Sequence, residues 1–462
     1  MKNSFYLLSL GCPKNLVDSE KLTRRLRLSG HSPVEDPEEA DTLIVNTCGF
    51  IEAAKEESIG EILGLAKGKG SRKLLVFGCL SERYKEELRA ELPEVDAMWG
   101  VNAGEQIADY LNETLTPRSS LPHPLWIPHA GQGPRGSRRA RGVNKIEGKM
   151  AGLPSTFPYA YLKISEGCKR RCSFCSIPLI RGTLKNFSPD EILKEAEDYV
   201  KGGIKELILV SQDTSSYNVK GFTLPQLIKE ICSIRGEFWV RIHYLHPSGT
   251  DGNLLEAMAG ERKVVKYLDM PLQHSEQRIL RLMARGGGAG EFTKVISRAR
   301  KMMPGLAVRT TFIVGFPGET EEEFEGLLDF MEQSAFEHAG AFVYSREEGT
   351  GAARLPGQLP QAVKKRRWDR LMRAQAAISL EKNKALVGRE MTALVDETDG
   401  KIAIGRLPSQ SPDVDGVVFI ENIENEGKNA GITLKPGDFP RVLVTMAYDY
   451  DLKARPLPVK TK

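Results

Sequence analysis

Three short apolar runs in the first 115 residues are each followed by a segment in which apolar residues recur at helical spacing. The runs are Tyr6–Leu10, Thr42–Asn46 and Leu74–Phe77, and the helical patterns cover residues 17–28, 51–66 and 81–92. Strands that alternate with helices indicate a parallel sheet with helices on both faces. Residues 1–115 are therefore predicted to form a doubly wound α/β domain.

A cysteine follows each of these predicted strands after a single intervening glycine or threonine. Cys12, Cys48 and Cys79 thus occupy equivalent positions. In doubly wound sheets, ligands bind outside the carboxyl ends of the strands, where residues that are distant in sequence converge. A single cysteine beside a strand is usually a small core residue. Three in the same structural position instead favour the thiolate ligands of one metal cluster.

The pattern of predicted elements stops at about residue 116. Residues 116–153 are rich in Pro, Gly, Ser and Arg, and they are predicted to be a solvated basic linker rather than an RNA-binding segment. Within them, Gly131–Gly136 fits the spacing G-x-G-x-x-G. The dinucleotide-binding fingerprint needs a strand before it and a helix after it, and Pro134 with its neighbouring arginines suits neither. We assign this match to chance.

Six further apolar runs, separated by helical patterns, occupy residues 154–385. They are Tyr161–Ile164, Leu207–Val210, Phe238–Ile242, Val264–Leu268, Ala307–Val314 and Ala341–Tyr344. Six strand–helix repeats are too few for a closed eight-stranded barrel. In a domain of this kind the active site is expected at the carboxyl ends of the strands.

Residues 386–456 show shorter runs of alternating apolar and polar residues, after a predicted helix over 366–384. Examples are Met391–Val395 and Val442–Met446, and the second follows the turn sequence Lys435–Asp438. Alternation at this spacing, with Pro and Gly in the turns, is typical of half-buried antiparallel strands. A small β-barrel is predicted for this region.

Amino-acid composition indicates the cellular compartment in which the protein acts. The chain has 462 residues and a formal net charge of +4, which is too small to indicate a class of partner. Six of its seven cysteines fall into two separated triplets, a pattern more typical of metal binding in a reducing compartment than of disulfides. There is no run of about 18 apolar residues, and the apolar start is too short for a signal peptide. We therefore expect a cytoplasmic protein without a membrane segment.

The second triplet is Cys168, Cys172 and Cys175, which form a C-x3-C-x2-C loop directly after the first central run. Iron–sulfur clusters are held by thiolates, usually four. Three protein ligands leave one metal position open for another molecule, as in reactive metal sites. The alternative is a structural zinc knuckle, which would need a fourth Cys or His nearby. The next histidines, His243 and His246, lie about 70 residues away, so the cluster is favoured.

The Cys168–Cys175 loop resembles the signature of radical S-adenosylmethionine enzymes, whose clusters bind S-adenosylmethionine at the open iron. Ser9–Glu20 resembles the opening motif of the methylthiotransferases. Asn46–Ile51, Ala54–Ser58 and Tyr448–Leu452 are similar to the branch of that family that modifies a ribosomal protein. The resemblance covers nearly the whole chain outside the linker.

The resemblance implies a fold and an activity. It implies a partial (βα)6 barrel for residues 154–385 and a TRAM-like barrel for residues 386–456. Two [4Fe–4S] clusters are implied, one on Cys168, Cys172 and Cys175 and an auxiliary one on Cys12, Cys48 and Cys79. The implied reaction adds a methylthio group to the β-carbon of an aspartate in small-subunit ribosomal protein twelve. S-adenosylmethionine would be both radical source and methyl donor, and no side chain is assigned as a catalytic acid or base.

Candidate residues for binding S-adenosylmethionine come from the predicted strand ends. Gln212 and Asp213 follow the second central strand, and Gly315 and Gly318 lie in the turn after the fifth, which in this superfamily is placed against the adenine. Glu206 ends a Gly-Gly-Glu-like segment that the family often uses for the methionine amino group.

Charge and chemistry suggest the partners. Residues 386–456 contain twelve acidic and eight basic residues. Such a barrel suits a basic ribosomal protein, whereas a barrel for RNA should be basic, so RNA contact is expected to be secondary. The excess could equally serve solubility alone. An electron donor such as flavodoxin or ferredoxin is also implied.

Two other functions remain open from the sequence. The first is a transfer-RNA adenosine methylthiotransferase, which would use the same chemistry on RNA. The second is a non-catalytic, metal-stabilised protein that binds RNA or the ribosome, and it would contain zinc.

Overall fold

A computed structural model describes residues 3–115, 157–421 and 433–458. The predicted linker at 116–153 and its glycine motif lie outside the described residues. Two compact units are present. The first contains the N-terminal domain together with residues 167–169 and 176–183, and the second contains the rest of the central and C-terminal regions.

The N-terminal unit is built on a five-stranded parallel sheet. Its strands are β1 (Ser4–Ser9), β2 (Ser32–Pro33), β3 (Thr42–Thr47), β4 (Lys73–Gly78) and β5 (Ala97–Met98). Its helices are α1 (Pro13–Leu28), α2 (Glu52–Lys67), α3 (Cys79–Arg83), α4 (Lys85–Glu91) and α5 (Gly104–Leu115), with a 3₁₀ turn at Pro37–Glu39. The strand order is β2-β1-β3-β4-β5. The doubly wound prediction is confirmed, and the two-residue edge strands β2 and β5 are too short to give a sequence signal.

Alternation along the strands places the helices on both faces of this sheet. Ile44 of β3 packs with α1 and α5 on one face. Its neighbours Leu43 and Val45 pack with α2, α3 and α4 on the other face. Because every residue of β3 is buried, the strand lies at the centre of the sheet, as expected for a near-continuous apolar run in a parallel sheet.

The central region of the second unit has six parallel strands and, between them, two short antiparallel pairs of strands. Its strands are β6 (Tyr159–Lys163), β7 (Ser165–Glu166), β8 (Lys185–Asn186), β9 (Glu206–Val210), β10 (Asn218–Val219), β11 (Phe222–Thr223), β12 (Trp239–Ile242), β13 (Tyr267–Asp269), β14 (Ala307–Val314) and β15 (His338–Val343). Strands β6, β9 and β12 form one parallel sheet and β13, β14 and β15 another. A parallel bridge between Val240 and Val264 joins them. The six strands thus follow one another in chain order, as predicted for a partial barrel.

Helices connect these strands. They are α6 (Ile177–Ile180), α7 (Pro189–Lys201), α8 (Leu224–Ser233), α9 (Gly252–Gly260), α10 (Gln277–Leu282), α11 (Ala289–Met302), α12 (Glu321–Ser334) and α13 (Gln361–Lys384). Short 3₁₀ turns lie at Thr214–Ser216, Pro247–Gly249 and Ala352–Arg354. Helices α7, α8 and α12 each begin with a capping box, formed by Ser188 and Glu191, Thr223 and Gln226, and Thr320 and Glu323.

The C-terminal region is a curled six-stranded sheet. Its strands are β16 (Glu390–Thr392), β17 (Leu394–Thr398), β18 (Ile402–Arg406), β19 (Val418–Glu421), β20 (Arg441–Ala447) and β21 (Leu452–Pro456). The order is β16-β20-β21-β19-β18-β17. Hydrogen bonds from Ala393 N to Pro440 O and from Gly437 N to Val395 O connect β17 with the segment before β20. They close the small barrel that the sequence predicted.

The loop between β18 and β19 packs against the amino ends of the central strands. Asp413 accepts hydrogen bonds from the hydroxyls of Tyr159 at 3.1 Å and Tyr161 at 2.6 Å. Asp415 accepts one from Tyr267 at 2.6 Å and pairs with Arg309 at 2.6 Å. These contacts explain why the central strands and the C-terminal sheet form one compact unit.

Two global features bear on the cysteines and on membranes. All seven cysteines are free thiols, so neither triplet is used in disulfides. In the described ranges, the structure has no helix that is both long and apolar enough to cross a bilayer.

Candidate cluster and cofactor sites

The first cysteine triplet lies at the carboxyl edge of the N-terminal sheet. Cys12 follows β1, Cys48 follows β3 and Cys79 follows β4, and these three strands are adjacent. Cys48 and Cys79 are buried, whereas Cys12 is half-buried. We call this arrangement the N-terminal triad. The three cysteines thus lie at neighbouring positions along one edge of the sheet.

Electrostatic effects show how close these thiols are. Burial raises the pKa of the Cys48 thiol well above its ordinary value, and the neighbouring thiols of Cys12 and Cys79 raise it further. Burial also raises the pKa of Cys79 to about 11, although the adjacent Arg181 opposes the change. Buried thiolates need positive charge nearby. Iron ions and the Arg181 guanidinium would supply it, so this donor set fits an iron–sulfur cluster.

Glycines next to the cysteines allow the chain to pack this closely. Gly11 has φ +92°, and a Cβ at this position would lie 2.7 Å from Cys48 Cβ and 2.8 Å from Cys48 Sγ. A Cβ on Gly49 would lie 2.7 Å from the Cα of Leu80. Side chains cannot occupy such space, and a positive φ is costly for any other residue. Glycine therefore lets the segments around Cys12 and Cys48 approach each other.

Asn15 and Arg181 connect the elements that carry the triad. Asn15 is fully buried, and its Nδ2 donates to Leu10 O at 2.8 Å and Thr47 O at 3.0 Å. Arg181 belongs to the same compact unit. Its guanidinium contacts Asn15 Oδ1 at 2.6 Å and Cys79 Sγ at 3.3 Å. Asn15 thus joins the ends of β1 and β3, and Arg181 extends the network to β4.

The second triplet, which we call the central triad, lies on the loop between β6 and α6. Cys168, Cys172 and Cys175 are all half-buried. Cys175 N donates to Cys172 O at 3.1 Å, which forms a turn. Ser173 fixes this turn, because its N donates to Met283 O at 2.9 Å and its O accepts from Ala352 N at 2.7 Å.

An arginine also lies beside the central triad. Arg285 Nη1 is 3.6 Å from Cys172 Sγ, and its Nη2 donates to Pro271 O at 2.8 Å. Within residues 3–115, 157–421 and 433–458, no three Cys, His, Asp or Glu side chains are arranged to hold a single metal ion. The ligand roles of both triads therefore rest on their pattern and surroundings, and they remain a proposal.

The predicted residues Gln212 and Asp213 lie at the carboxyl end of β9. Gln212 Nε2 donates to Glu166 Oε1 at 2.9 Å. The Asp213 carboxylate pairs with Arg170 at 2.7 Å and accepts from Ser215 and Ser216 at 2.6 Å each. Burial opposes ionisation of Asp213, but these donors hold its pKa below the ordinary value. Asp213 thus anchors the arginine next to the central triad.

Several shielded polar atoms near the carboxyl ends of the central strands have no hydrogen-bond partner among the described residues. They are Ser165 Oγ, Gln212 Oε1, His274 Nε2 and Ser275 Oγ. Burial lowers the pKa of His274 to about 3, so its ring is neutral. Unpartnered buried polar groups are costly and rare. This edge therefore suits a polar ligand, and the fit supports S-adenosylmethionine.

Gly315 and Gly318 form a turn directly after β14. Both have positive φ, at +74° and +78°. Glu319 fixes the turn, because its Oε2 accepts from Gly315 N at 2.7 Å and Phe316 N at 3.0 Å. Burial raises the pKa of Glu319 to about 7, although Arg367 and these N–H groups oppose the change. The turn lies at the expected edge of the barrel, and its contact with the cofactor stays a prediction.

The expectation for Glu206 is corrected by the structure. Glu206 is the first residue of β9, at the amino end of the strand. It is fully buried and pairs with Arg241 at 2.7 Å and with Arg406. Despite burial, the two guanidinium groups lower the pKa of its carboxyl. Both oxygens are thus used in holding the C-terminal sheet to the barrel, at the end opposite to the predicted pocket.

Sequence reasoning missed Asn15, Arg181 and Arg285. Single polar residues carry no periodicity, and each becomes important only through contacts with distant segments. Asn15 follows Cys12 by three residues, and Arg181 follows Cys175 by six. Asn15 lies within the motif Ser9–Glu20 and Arg181 lies near the cysteine loop, whereas Arg285 is far from both triplets in sequence and had no signal.

Comparisons with known proteins place these features in a family. Residues 4–100 match the family described as Uncharacterized protein family UPF0004, residues 162–331 match the Radical SAM superfamily, and residues 387–457 match the TRAM domain. The ribosomal protein uS12 methylthiotransferase RimO of Thermodesulfovibrio yellowstonii is 48% identical, over 98% of this chain and 99% of that protein. The protein of the same name from Pelotomaculum thermopropionicum is 42% identical, over 96% of this chain and 97% of that protein.

This chain belongs to the uS12 methylthiotransferase family. It is a radical SAM methylthiotransferase, as the resemblance in the cysteine loop and the N-terminal motifs implied.

Solved structures show the same fold at low sequence identity. The radical S-adenosylmethionine methyltransferase TsrM from Kitasatospora setae has a TM-score of 0.53 and 14% identity, over 76% of this chain and 74% of that one. The cobalamin-dependent radical enzyme OxsB has a TM-score of 0.51 and 15% identity, over 82% of this chain and 56% of that one. These similarities support the radical SAM fold of this family member.

Proposed function

We propose that this enzyme adds a methylthio group to the β-carbon of an aspartate in ribosomal protein uS12, with two [4Fe–4S] clusters and S-adenosylmethionine. The observation that carries the proposal is 48% identity over nearly the full length to a protein named for this activity. The presence of both cysteine triads in a chain that aligns over 98% of its own length and 99% of that protein supports it.

The reaction explains why the chain needs the central triad. A β-carbon hydrogen of aspartate is too weakly acidic for a side-chain base, so a cofactor must carry the difficult step. S-adenosylmethionine on a cluster held by Cys168, Cys172 and Cys175 would supply a radical able to remove that hydrogen. The chain itself positions the ligand-bearing loop through Ser173, and it offers the shielded Gln212 Oε1 as an acceptor.

The N-terminal triad would hold the second cluster. Cys48 and Cys79 are buried, which protects a sulfur-bearing site from water and from thiols in solution. The Asn15 and Arg181 network keeps the three strand ends at fixed separation. A rigid set of ligands with one open metal position is what a site that presents sulfur to a substrate requires.

The charge of the C-terminal sheet gives weaker support for a protein partner than the sequence suggested. Asp413 and Asp415 are bonded to the central strands, and Asp396 forms a buried ion pair with Arg406. Because these carboxylates are bonded within the chain, they contribute less to an acidic surface that could meet a basic partner. The choice of uS12 as substrate therefore depends on the relatives, and RNA contact through the TRAM domain is a secondary proposal.

The electron donor and location follow from the chemistry. Radical generation needs one electron at low potential, for which a flavodoxin or ferredoxin is suited. Seven free thiols suit a reducing compartment, so we place the activity in the cytoplasm.

Mass spectrometry of substrates tests the proposal. Anaerobically reconstituted enzyme is incubated with S-adenosylmethionine, a sulfide source and a reductant, together with either purified uS12 or transfer RNA. We expect one methylthio group on one aspartate of uS12 and none on the RNA. Modified adenosine with unmodified uS12 would identify a transfer-RNA methylthiotransferase. A colourless, zinc-containing protein that modifies neither would identify a non-catalytic binding protein.

A further inference from the structure

We infer that Arg181 is a positioning residue of the N-terminal cluster, which sets the geometry of its ligands and raises its reduction potential. The inference rests on the proposed function, since it concerns the cluster that the N-terminal triad would hold. It adds a residue outside the cysteine motifs to that site.

The first argument is the burial of Arg181. Its side chain is 1% exposed, and arginine is almost never buried to this extent without a specific set of partners. The guanidinium pairs with Asp18 at 3.0 Å and contacts Asn15 Oδ1 at 2.6 Å. The guanidinium thus pairs with one carboxylate and also contacts the asparagine that lies beside the cysteines.

The second argument is the contact with sulfur. Arg181 Nε donates to Cys79 Sγ at 3.3 Å. Hydrogen bonds to the sulfurs of an iron–sulfur cluster, together with nearby charge, are among the factors that set its potential. A cation and a donor at this position stabilise the more negative, reduced form, and therefore raise the potential.

The third argument is the number of strands that the network connects. Asn15 Nδ2 donates to Leu10 O and Thr47 O, at the ends of β1 and β3. Arg181 contacts Asn15 and also Cys79, which follows β4. One guanidinium therefore fixes the separation of all three segments that carry the ligands.

The position of Arg181 in the chain links the sequence of the central triad to the surroundings of the N-terminal triad. It lies six residues after Cys175, and residues 176–183 pack with the N-terminal unit, where α6 contacts α3. The segment that leaves the central triad therefore contributes a side chain to the N-terminal triad.

Redox titration of single-cluster variants tests the inference. In the full-length chain, Cys168, Cys172 and Cys175 are replaced by alanine so that only the N-terminal cluster assembles. Arg181→Gln in this background is compared with the parent by iron content and by electron paramagnetic resonance of the reduced cluster. We expect the ratio of reduced to oxidised cluster at a fixed solution potential to fall about tenfold, which is a shift of about 59 mV for a one-electron couple.

Three controls make the result specific. Arg24→Gln removes an exposed arginine from α1 in the same unit and should leave the potential unchanged. Arg285→Gln, whose arginine lies beside Cys172, should also leave it unchanged in this background. In the reciprocal background, with Cys12, Cys48 and Cys79 replaced by alanine, Arg181→Gln should not alter the central cluster.

If the Arg181→Gln variant does not assemble its cluster, a second and more conservative variant, Arg181→Lys, tests the inference. Arg181→Lys keeps the charge but cannot contact Asn15, Asp18 and Cys79 together, so its potential should fall between those of the parent and the glutamine variant. Normal iron content with the parent's potential in either variant would overturn the inference. A parent that binds no iron would instead overturn the proposed function.

Discussion

The two cysteine triads, proposed to hold similar clusters, are assembled in different ways. The central triad lies within eight consecutive residues, and all of its cysteines are half-buried. The N-terminal triad is spread over 68 residues from Cys12 to Cys79, and tertiary structure alone brings it together. Half-buried cysteines on a local loop remain accessible to a cofactor that must bind and be released. A triad that depends on three strand ends needs a buried framework to keep its geometry.

The two triads share two structural features but differ in the residues that hold them in place. In each, a glycine with positive φ precedes the first cysteine, at Gly11 and Gly167, and an arginine lies near one sulfur. Arg181 is buried within the N-terminal network, whereas the contact from Arg285 to Cys172 is longer, at 3.6 Å. The comparison indicates that loss of one framework residue should damage the N-terminal site more than the central one.

The largest expected effect separates the two triads by function. Cys172→Ala should abolish both cleavage of S-adenosylmethionine and methylthiolation, because the central cluster loses a ligand. Cys48→Ala should keep cleavage of S-adenosylmethionine but transfer no sulfur. Chromatography for 5′-deoxyadenosine and mass spectrometry of uS12 measure the two activities. Identical behaviour of the two variants would contradict the division between the triads.

A methyl group at Gly11 tests the close packing of the N-terminal triad. Gly11→Ala should destabilise the apo-protein by about 4 kcal/mol, from backbone strain and from overlap with Cys48. Gly30→Ala is a matched control, because its φ of +93° is nearly the same and its Cβ would meet no atom within 4 Å. Denaturant unfolding measures both variants. Equal losses would show that φ strain, and not contact with Cys48, is the cause.

Removing the side chain of Asn15 tests the framework between strands. Asn15→Ala leaves the carbonyls of Leu10 and Thr47 without their donor, and about 3 kcal/mol of stability should be lost with its three hydrogen bonds. Iron bound by the N-terminal triad should fall, while iron bound by the central triad stays. Arg24→Ala, on the exposed face of the same helix, should change neither. Equal loss from both triads would argue against a local framework.

The smallest effect concerns acid stability at the amino ends of the barrel that carries the central triad. Burial opposes ionisation of Asp415, but His338, Arg309 and the Tyr267 hydroxyl lower its pKa from 3.8 to about 2. Its ionised form therefore stabilises the fold above about pH 4, and this contribution of about 2 kcal/mol is lost as the pH falls toward 2.

Unfolding measured between pH 2 and pH 7 tests this contribution. The stability difference between the parent and Asp415→Asn should be largest near pH 7 and should shrink below pH 4. Asp449→Asn, at an exposed position, should show no such dependence. A difference that does not vary with pH would mean that the charge of Asp415 is not responsible.

The local pattern of the chain was enough to predict the parallel N-terminal sheet, the six central strands and the small C-terminal barrel. It was also enough to place Cys12, Cys48 and Cys79 just after strands and Cys168, Cys172 and Cys175 on one loop, because strand ends and short motifs are properties of consecutive residues. The spacing of Cys168, Cys172 and Cys175 predicts one site directly. Equivalent positions after three strands predict the other once the strands are known to be parallel.

Only the tertiary structure decided the roles of single polar residues. Glu206 carried a motif-like signal but is used in buried ion pairs with Arg241 and Arg406. Arg181 carried none, yet it contacts Cys79 and Asn15. A polar side chain is defined by the partners that satisfy it, and in a buried site those partners come from segments far away in sequence.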